Sequence, residues 1–200
     1  MTDTPRLILA STSRYRRELL ERLRLPFDVV APAVDETPRS GEAPRALAER
    51  LALAKAQAVV ALHPGAIVIG SDQVAELGGQ PIGKPHTHER AVEQLTAMSG
   101  RRVVFQTAVA VVRREPEFAR CLLAPVAVTF RRLGATEIEA YLRAEQPYDC
   151  AGSAKSEGLG IALLASIDSD DPTALIGLPL MRTCALLREA GLDVLAPSRR

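Results

Sequence analysis

Leu7-Ile8-Leu9-Ala10-Ser11-Thr12-Ser13-Arg14-Tyr15-Arg16-Arg17 is the stretch from which the fold can be read. Four apolar residues run into three hydroxyl residues, and a basic segment with helical spacing follows. A short apolar run against a polar break suits a buried strand better than a whole helix. Ser11 and Ser13 then stand at the N-cap of the next helix, where a side-chain oxygen satisfies orphan backbone donors. Free N–H groups, two hydroxyls and Arg14, Arg16 and Arg17 at one helix start make a seat for an anion, most naturally a phosphate. The plain alternative is a capped helix with a solvated basic face. This stretch alone does not separate the two.

Two hundred residues can bury one sizeable core, or a core with a small lobe. The formal net charge of +1 gives no global sign of a nucleic-acid or membrane-surface binder. Met1 to Arg6 carries Asp3 and Arg6 and leads into only four apolar residues, too few for the apolar region of a signal peptide. No run approaches the ~18 apolar residues of a membrane span, so a soluble cytoplasmic protein is expected. Cys121, Cys150 and Cys184 lie far apart with no C-x-x-C pair, which argues against a disulfide framework and a zinc site. They read as buried or incidental thiols, with a reactive role for Cys150 as the lesser alternative.

Working outward from the first strand and helix, Pro26–Val30 reads as a second strand, followed by a proline-punctuated loop over Ala31–Gly41 that carries Asp35 and Glu36. Those acids are either solvated or, through one of them, help to hold a divalent cation, which prefers carboxylate oxygens. Pro44–Leu62 is a helix with Leu47, Leu51, Ala54, Ala58 and Leu62 on one stripe and a proline at an early position. Lys55 falls at the border of that stripe, either snorkelling to water or directing its ammonium into a cleft. Ala66–Gly70 is a further strand that ends in Ser71-Asp72-Gln73. Ligands gather outside the carboxyl ends of strands in open α/β sheets, so Asp72 is a candidate catalytic or metal-binding carboxylate, with a turn-forming aspartate as the alternative.

Gly78 to Lys84 fits a loose G-x-x-x-x-G-K pattern, but Pro85 supplies no hydroxyl for a magnesium ion and Gly78-Gly79 reads as a hairpin turn. Lys84 can still meet phosphate as a point charge. Thr87 caps a helix to Met98 with Ala91, Val92, Leu95 and Met98 inward, and Gly100 closes it. Val103–Arg113 and Cys121–Arg131 form a long hairpin. Thr136–Glu145 is a helix with Ile138, Tyr141 and Leu142 inward. It leads into the tight glycine-containing loop Gln146–Gly160, a strand over Ile161–Ser166, an acidic turn over Asp168–Pro172, a last helix over Pro179–Ala190 and a basic tail. His86 and His88 have no third partner at ligand spacing and read as surface residues before a helix.

Taken together, S-T-S-R-Y-R-R, V-D-E-T-P, L-A-L-A-K-A, G-S-D-Q-V, G-K-P, the M-S-G that ends a helix, and C-A-G-S-A-K-S-E-G resemble, in order and spacing, the Maf family of nucleoside triphosphate pyrophosphatases along nearly the whole chain. Gln73 after Asp72, and Glu157 before Gly158, look like the 7-methyl-GTP branch of that family rather than the dTTP/UTP branch. Tyr15 departs from the larger Trp common in that branch. The resemblance implies one domain over residues 1–200: an α/β fold with a mixed, elongated central sheet flanked by helices, and two lobes with a substrate cleft between them. It implies hydrolysis between the α and β phosphates with a divalent metal cation, Mg2+ or Mn2+.

Carried across by motif, Asp72 is the proton acceptor. Ser11, Ser13, Arg16, Lys55 and Lys84 hold the triphosphate, and Tyr15, Gln73 and Glu157 select the base. Asp72, with Glu36, is the expected metal pair. Glu157 would accept from guanine's N–H edge, and the Tyr15 face would attract a cationic methylated base. The expected partner is a small nucleotide substrate, with neither nucleic acid nor membrane, and a homodimer is the commonest oligomer to test. Sister activities on dTTP, UTP or other altered nucleotides, and a nucleotide-binding regulator of septum formation, stay open as alternatives.

Overall fold

A mixed seven-stranded sheet forms the body of the molecule, and every expected helix packs on it or at its end. The computed structural model describes residues 5–195; Met1–Thr4 and the basic tail, 196–200, lie outside the described residues. Strand β1 (Leu7–Ala10) is completely buried, as its unbroken apolar run requires. Helix α1 (Arg14–Glu21) follows, and the Ser13 hydroxyl accepts from the Arg16 N–H at its start. Strand β2 (Asp28–Val30) and the long helix α2 (Pro44–Leu62) come next, the helix opening on a proline whose missing N–H costs nothing there.

Strand β3 (Ile67–Leu77) turns at Gly78-Gly79 into β4 (Gln80–Ile82). Both glycines have positive φ, 60° and 81°, the requirement of a two-residue hairpin turn whose twist matches the strands. Helix α3 (His88–Met98) is capped by Thr87, and the hairpin β5 (Arg102–Arg113) and β6 (Phe118–Phe130) follows. Helix α4 (Ala135–Glu145), strand β7 (Leu164–Asp168) and helix α5 (Leu180–Glu189) complete the order. The sheet runs β2-β1-β3-β5-β6-β7, with β4 paired to the far part of β3. Strands β2, β1 and β3 are parallel, and all later pairs are antiparallel. No helix among the described residues is long and apolar enough to cross a membrane.

Strand alternation divides the core. Ile8, Ala10, Val68, Ala108, Ala110 and Val112 meet Leu47, Leu51, Ala52, Ala56 and Val59 of α2. Leu7, Leu9, Ile67, Ile69, Val109 and Val111 face the other way, onto Leu19 and Leu20 of α1 and Leu186 and Leu187 of α5. At the far end Phe105, Val126, Val128 and Phe130 pack with α3 and α4.

Four expectations change. Strand β3 continues to Leu77 instead of ending at Gly70, because its ladder with β5 carries Ser71, Asp72 and Gln73 along despite their polarity. The buried face of α2 is Leu47, Ala48, Leu51, Ala52, Lys55, Ala56, Val59 and Val60, while Leu62 is 74% exposed and Ala54 and Ala58 are half-buried. Lys55 is therefore on the stripe and not at its border. Leu159–Leu163 coils as a 3-10 turn, so β7 starts at Leu164 and not at Ile161. The cause is local: Leu159 N–H donates to the Glu145 carboxylate, and a Cβ at Gly160 would strike the Lys155 backbone. Finally His88 is the first residue of α3 and half-buried, with ring nitrogens 2.9 Å from the Tyr148 hydroxyl and 2.8 Å from Glu139.

Candidate active site

An interruption in the sheet creates the site. Strand β1 pairs with β3 only as far as Ala10 opposite Gly70, and β4 joins the same edge only from Ala75. Between them Ser71, Asp72, Gln73 and Val74 have β5 on one side and no strand on the other. Alternation sends Asp72 to the α2 face and Ser71 and Gln73 to the opposite face, so one short length of strand serves the opening from both sides.

On the α2 face, the helix backbone lies directly on the strand. A Cβ at Gly70 would collide with the Ala52 carbonyl oxygen and lie 2.7 Å from the Ala56 nitrogen, so no other residue admits this approach. The result is that Lys55 Nζ reaches Asp72 Oδ1 at 2.7 Å, with the residues 5% and 7% exposed. The same ammonium meets Glu36 Oε1 at 2.8 Å. Snorkelling is excluded: Lys55 turns inward. Asp35 does not join this group, its carboxylate accepting from the Thr37 N–H in the loop.

On the opposite face, only Arg16 of the three arginines turns inward. Its Nε donates to the Gly177 carbonyl at 2.9 Å and its Nη1 to Ser11 Oγ at 3.5 Å. Ser11 Oγ also accepts from the Ser13 N–H at 3.2 Å, which folds the hydroxyl segment over the start of α1. Arg17 is drawn away by Glu21, and Arg14 lies over the Tyr15 ring, 4.7 Å from its centroid, while donating to the Tyr15 hydroxyl.

These groups enclose a pocket of about 820 Å³ lined by Ser11, Ser13, Tyr15, Arg16, Glu36, Lys55, Asp72, Gln73 and Lys84, together with Asp149 and His86. The volume falls within the ~300–1,000 Å³ typical of small-molecule sites. Burial pushes the Arg16 guanidinium down from its ordinary value, and Asp72 and Glu36 partly offset this. Its direct partners are a carbonyl and a hydroxyl, both neutral, so hydrogen-bonding capacity remains for an anion. Burial alone would raise the Glu36 carboxyl, but the hydrogen bond and charge of Lys55, then Lys84 and Arg16, hold it below the ordinary range.

Glu157 stands apart from the pocket wall: an exposed residue whose carboxyl is pushed up by partial desolvation, in a group with Lys155 and Glu145. Lys155 pairs with Glu145 at 2.6 Å and lies 5.9 Å from the Tyr15 ring centroid. Tyr15 is thus a cation–π partner of residues of this chain. The Cys150 thiol is pushed up to about 12 by burial and the nearby Asp149, which leaves it a thiol and removes the reactive reading. All three cysteines are free.

Sequence reasoning missed the residues that hold this arrangement from behind. Ser71 Oγ donates towards the Ala108 and Gly177 carbonyls at 2.8 and 2.9 Å. Gln73 Nε2 donates to Thr107 Oγ1 and to the Ala174 and Leu175 carbonyls. Backbone acceptors have no side-chain signature, and the only signal was a threonine inside the apolar run Val103–Val112. For a metal, the donor chemistry fits a hard cation: two carboxylates, Asp72 and Glu36, converge on one cationic position. No group of three or more His, Cys, Asp or Glu side chains assembles among the described residues, so phosphate oxygens would complete the coordination.

Residues 6–190 match the family model described as Maf-like protein. The chain belongs to the Maf family. A Maf relative from Polaromonas sp. (strain JS666) is named 7-methyl-GTP pyrophosphatase; it is 68% identical over 197 residues, covering 98% of this chain and 90% of the relative. One of the same name from Albidiferax ferrireducens is 66% identical over 190 residues, covering 95% and 96%. Another from Bordetella avium is 60% identical over 197 residues, covering 98% of each. The Maf match spans β1 to the end of α5 and so contains every residue of the pocket.

Proposed function

We propose that this chain hydrolyses 7-methyl-GTP between the α and β phosphates, giving 7-methyl-GMP and diphosphate. The observation that carries the reading is the convergence of Asp72 with Arg16, Lys55, Lys84 and the Ser11–Ser13 turn on one pocket, in a chain whose relatives bear that activity in their names. Arg16, Lys84 and the N–H groups at the start of α1 bind the triphosphate, and Lys55 stabilises charge on the departing diphosphate. Lys55 holds Asp72 Oδ1, so Oδ2 takes the proton from the water that attacks the α phosphorus. The new P–O bond forms as the bridging bond to the β phosphate breaks. When bound, a divalent cation, Mg2+ or Mn2+, would be held by Glu36 and Asp72 with phosphate oxygens and would supply Lewis acidity to the phosphoryl group. Tyr15 and Gln73 from the pocket wall, and Glu157 from the Gln146–Gly160 loop outside it, select the base, within a cleft between two lobes of one domain. A free nucleotide substrate fits a cytoplasmic enzyme, with a homodimer as its working form.

The test is diphosphate release from 7-methyl-GTP, GTP, dTTP and UTP. The expected order puts 7-methyl-GTP first in kcat/KM, and a dTTP rate as good or better overturns the assignment. Asp72→Asn is expected to lower turnover at least about a hundredfold while nucleotide binding persists; retained turnover removes Asp72 as the proton acceptor. One observation favours the dTTP/UTP reading. Arg14 and Lys155 beside Tyr15 repel a cationic base, and the carboxylates of Glu18, Glu145, Asp149 and Glu157 offset them in part. Glu157→Gln discriminates: on the main reading it weakens 7-methyl-GTP turnover selectively.

A further inference from the structure

The polar network behind Gln73 has no role in the chemistry above, yet it fixes the amide of a side chain that lines the pocket. Gln73 and Thr107 are directly opposed in the β3–β5 ladder, and alternation turns both toward the Ala174–Gly177 turn. The Gln73 Nε2 donates to Thr107 Oγ1 at 2.9 Å, to Ala174 O at 2.9 Å and to Leu175 O at 3.0 Å. Thr107 is wholly buried, and its hydroxyl proton goes to the same Ala174 carbonyl at 2.9 Å. That proton assignment leaves Thr107 Oγ1 only its lone pairs for Gln73, and the two carbonyls can only accept. The two carbonyls demand a donor whichever way the hydroxyl turns, and a flipped amide would set oxygen against oxygen at both. The terminal amide has one orientation, and Oε1 is its atom without a partner among the described residues, on a side chain that lines the pocket.

We propose that Thr107, with the Ala174 and Leu175 carbonyls, is the positioning device for substrate selection. It locks Gln73 so that Oε1 accepts from an N–H or O–H of the bound nucleotide. The same turn holds the other end of the site, since the Gly177 carbonyl accepts from Arg16 Nε and Ser71 Oγ. The acceptor that reads the nucleoside and the cation that meets its phosphates are thus set by one piece of backbone. A nucleotide that offers an acceptor at this point meets an unrelieved oxygen–oxygen contact, which is discrimination by mismatch.

This inference rests on the 7-methyl-GTP reading for the identity of the favoured nucleotide, but its test is a change of ratio within one panel. Wild type, Thr107→Val and Thr107→Ser are compared for kcat and KM on 7-methyl-GTP, its 2′-deoxy analogue, dTTP and UTP, with inhibition by tripolyphosphate as the measure of phosphate binding. Valine keeps the shape and removes the hydroxyl. The expected result is a drop of about tenfold in the ratio of best to worst nucleotide, carried mainly by KM, with tripolyphosphate inhibition unchanged. Thr107→Ser is expected to restore the ratio. If Thr107→Val penalises 7-methyl-GTP but not its 2′-deoxy analogue, the donor is the ribose hydroxyl; an equal penalty assigns it to the base. An unchanged ratio, or an equal loss on every nucleotide and on tripolyphosphate, overturns the proposal. A wild type that prefers dTTP defeats the substrate reading alone, because the ratio is still measurable. Should Thr107→Val fail to fold, the side-chain amide protons of Gln73 in the wild type decide by NMR. Slow exchange with solvent in the free protein is expected, and fast exchange of both overturns the proposal.

Discussion

At residue scale the Lys55–Asp72 pair is costly to the fold, and function explains it. Two charges nearly removed from water lose solvation that their attraction repays only with good geometry, so an apolar pair would serve the fold as well. The partners are not equivalent when removed. Asp72→Asn leaves the ammonium its contact with Glu36, whereas Lys55→Met leaves the Asp72 carboxylate buried with no cation among the described residues at hydrogen-bond distance. Lys55→Met is therefore expected to cost about 3–5 kcal/mol and Asp72→Asn clearly less, with the double variant less damaged than the two losses added together. Urea unfolding of the three variants checks the order; equal single losses would mean that Glu36 contributes nothing to the lysine.

At the scale of elements, what brings Lys55 to Asp72 is the seating of α2 on β3, and that seating depends on Gly70. Its missing side chain lets the helix backbone rest against the strand, and the atoms a methyl would strike, Ala52 O and Ala56 N, belong to backbone held in helical hydrogen bonds. They cannot rotate away as the end of a flexible side chain would. Gly70→Ala is expected to destabilise by roughly 3 kcal/mol, at the upper end of overpacking costs, and to lower kcat by lifting Lys55 from the strand. Lowered urea midpoint and lowered kcat should appear together. A loss of stability with unchanged kcat would show that the helix can shift without moving its ammonium.

At the scale of the whole molecule, the parts legible in the sequence are those whose signal is local. Strand β1, helix α2 with its bounds at Pro44 and Leu62, the Gly78-Gly79 hairpin and the Thr87 cap each rest on a few adjacent residues. What escaped depends on partners distant in the chain. Asp72 looked like the end of a strand because three polar residues follow an apolar run, and only the β5 ladder carries the strand on. Lys55 looked marginal to its helix face because a buried lysine needs its counter-charges seventeen and nineteen residues away to be credible. Thr107 and the carbonyls of Ala174, Leu175 and Gly177 were silent because strand register and backbone acceptors leave no mark on composition. The pocket they build draws on Ser11–Arg16, Glu36, Lys55, Asp72–Gln73, Lys84 and Asp149, so it exists only when the whole chain is folded. A ligand of that pocket binds the native state and not the unfolded chain. At about one hundred times its Kd it adds about 2.7 kcal/mol, equivalent to a rise of roughly 5–10 °C in Tm for a chain of this size. A non-hydrolysable 7-methyl-GTP analogue is expected to produce this shift in wild type and in Asp72→Asn, which keeps the phosphate-binding groups. Arg16→Met should lose most of it at the same ligand concentration, because the guanidinium is a half-buried cation of the pocket whose direct partners are neutral. Thermal melts with and without the analogue measure all three, and an undiminished shift in Arg16→Met would move triphosphate binding away from the turn between β1 and α1.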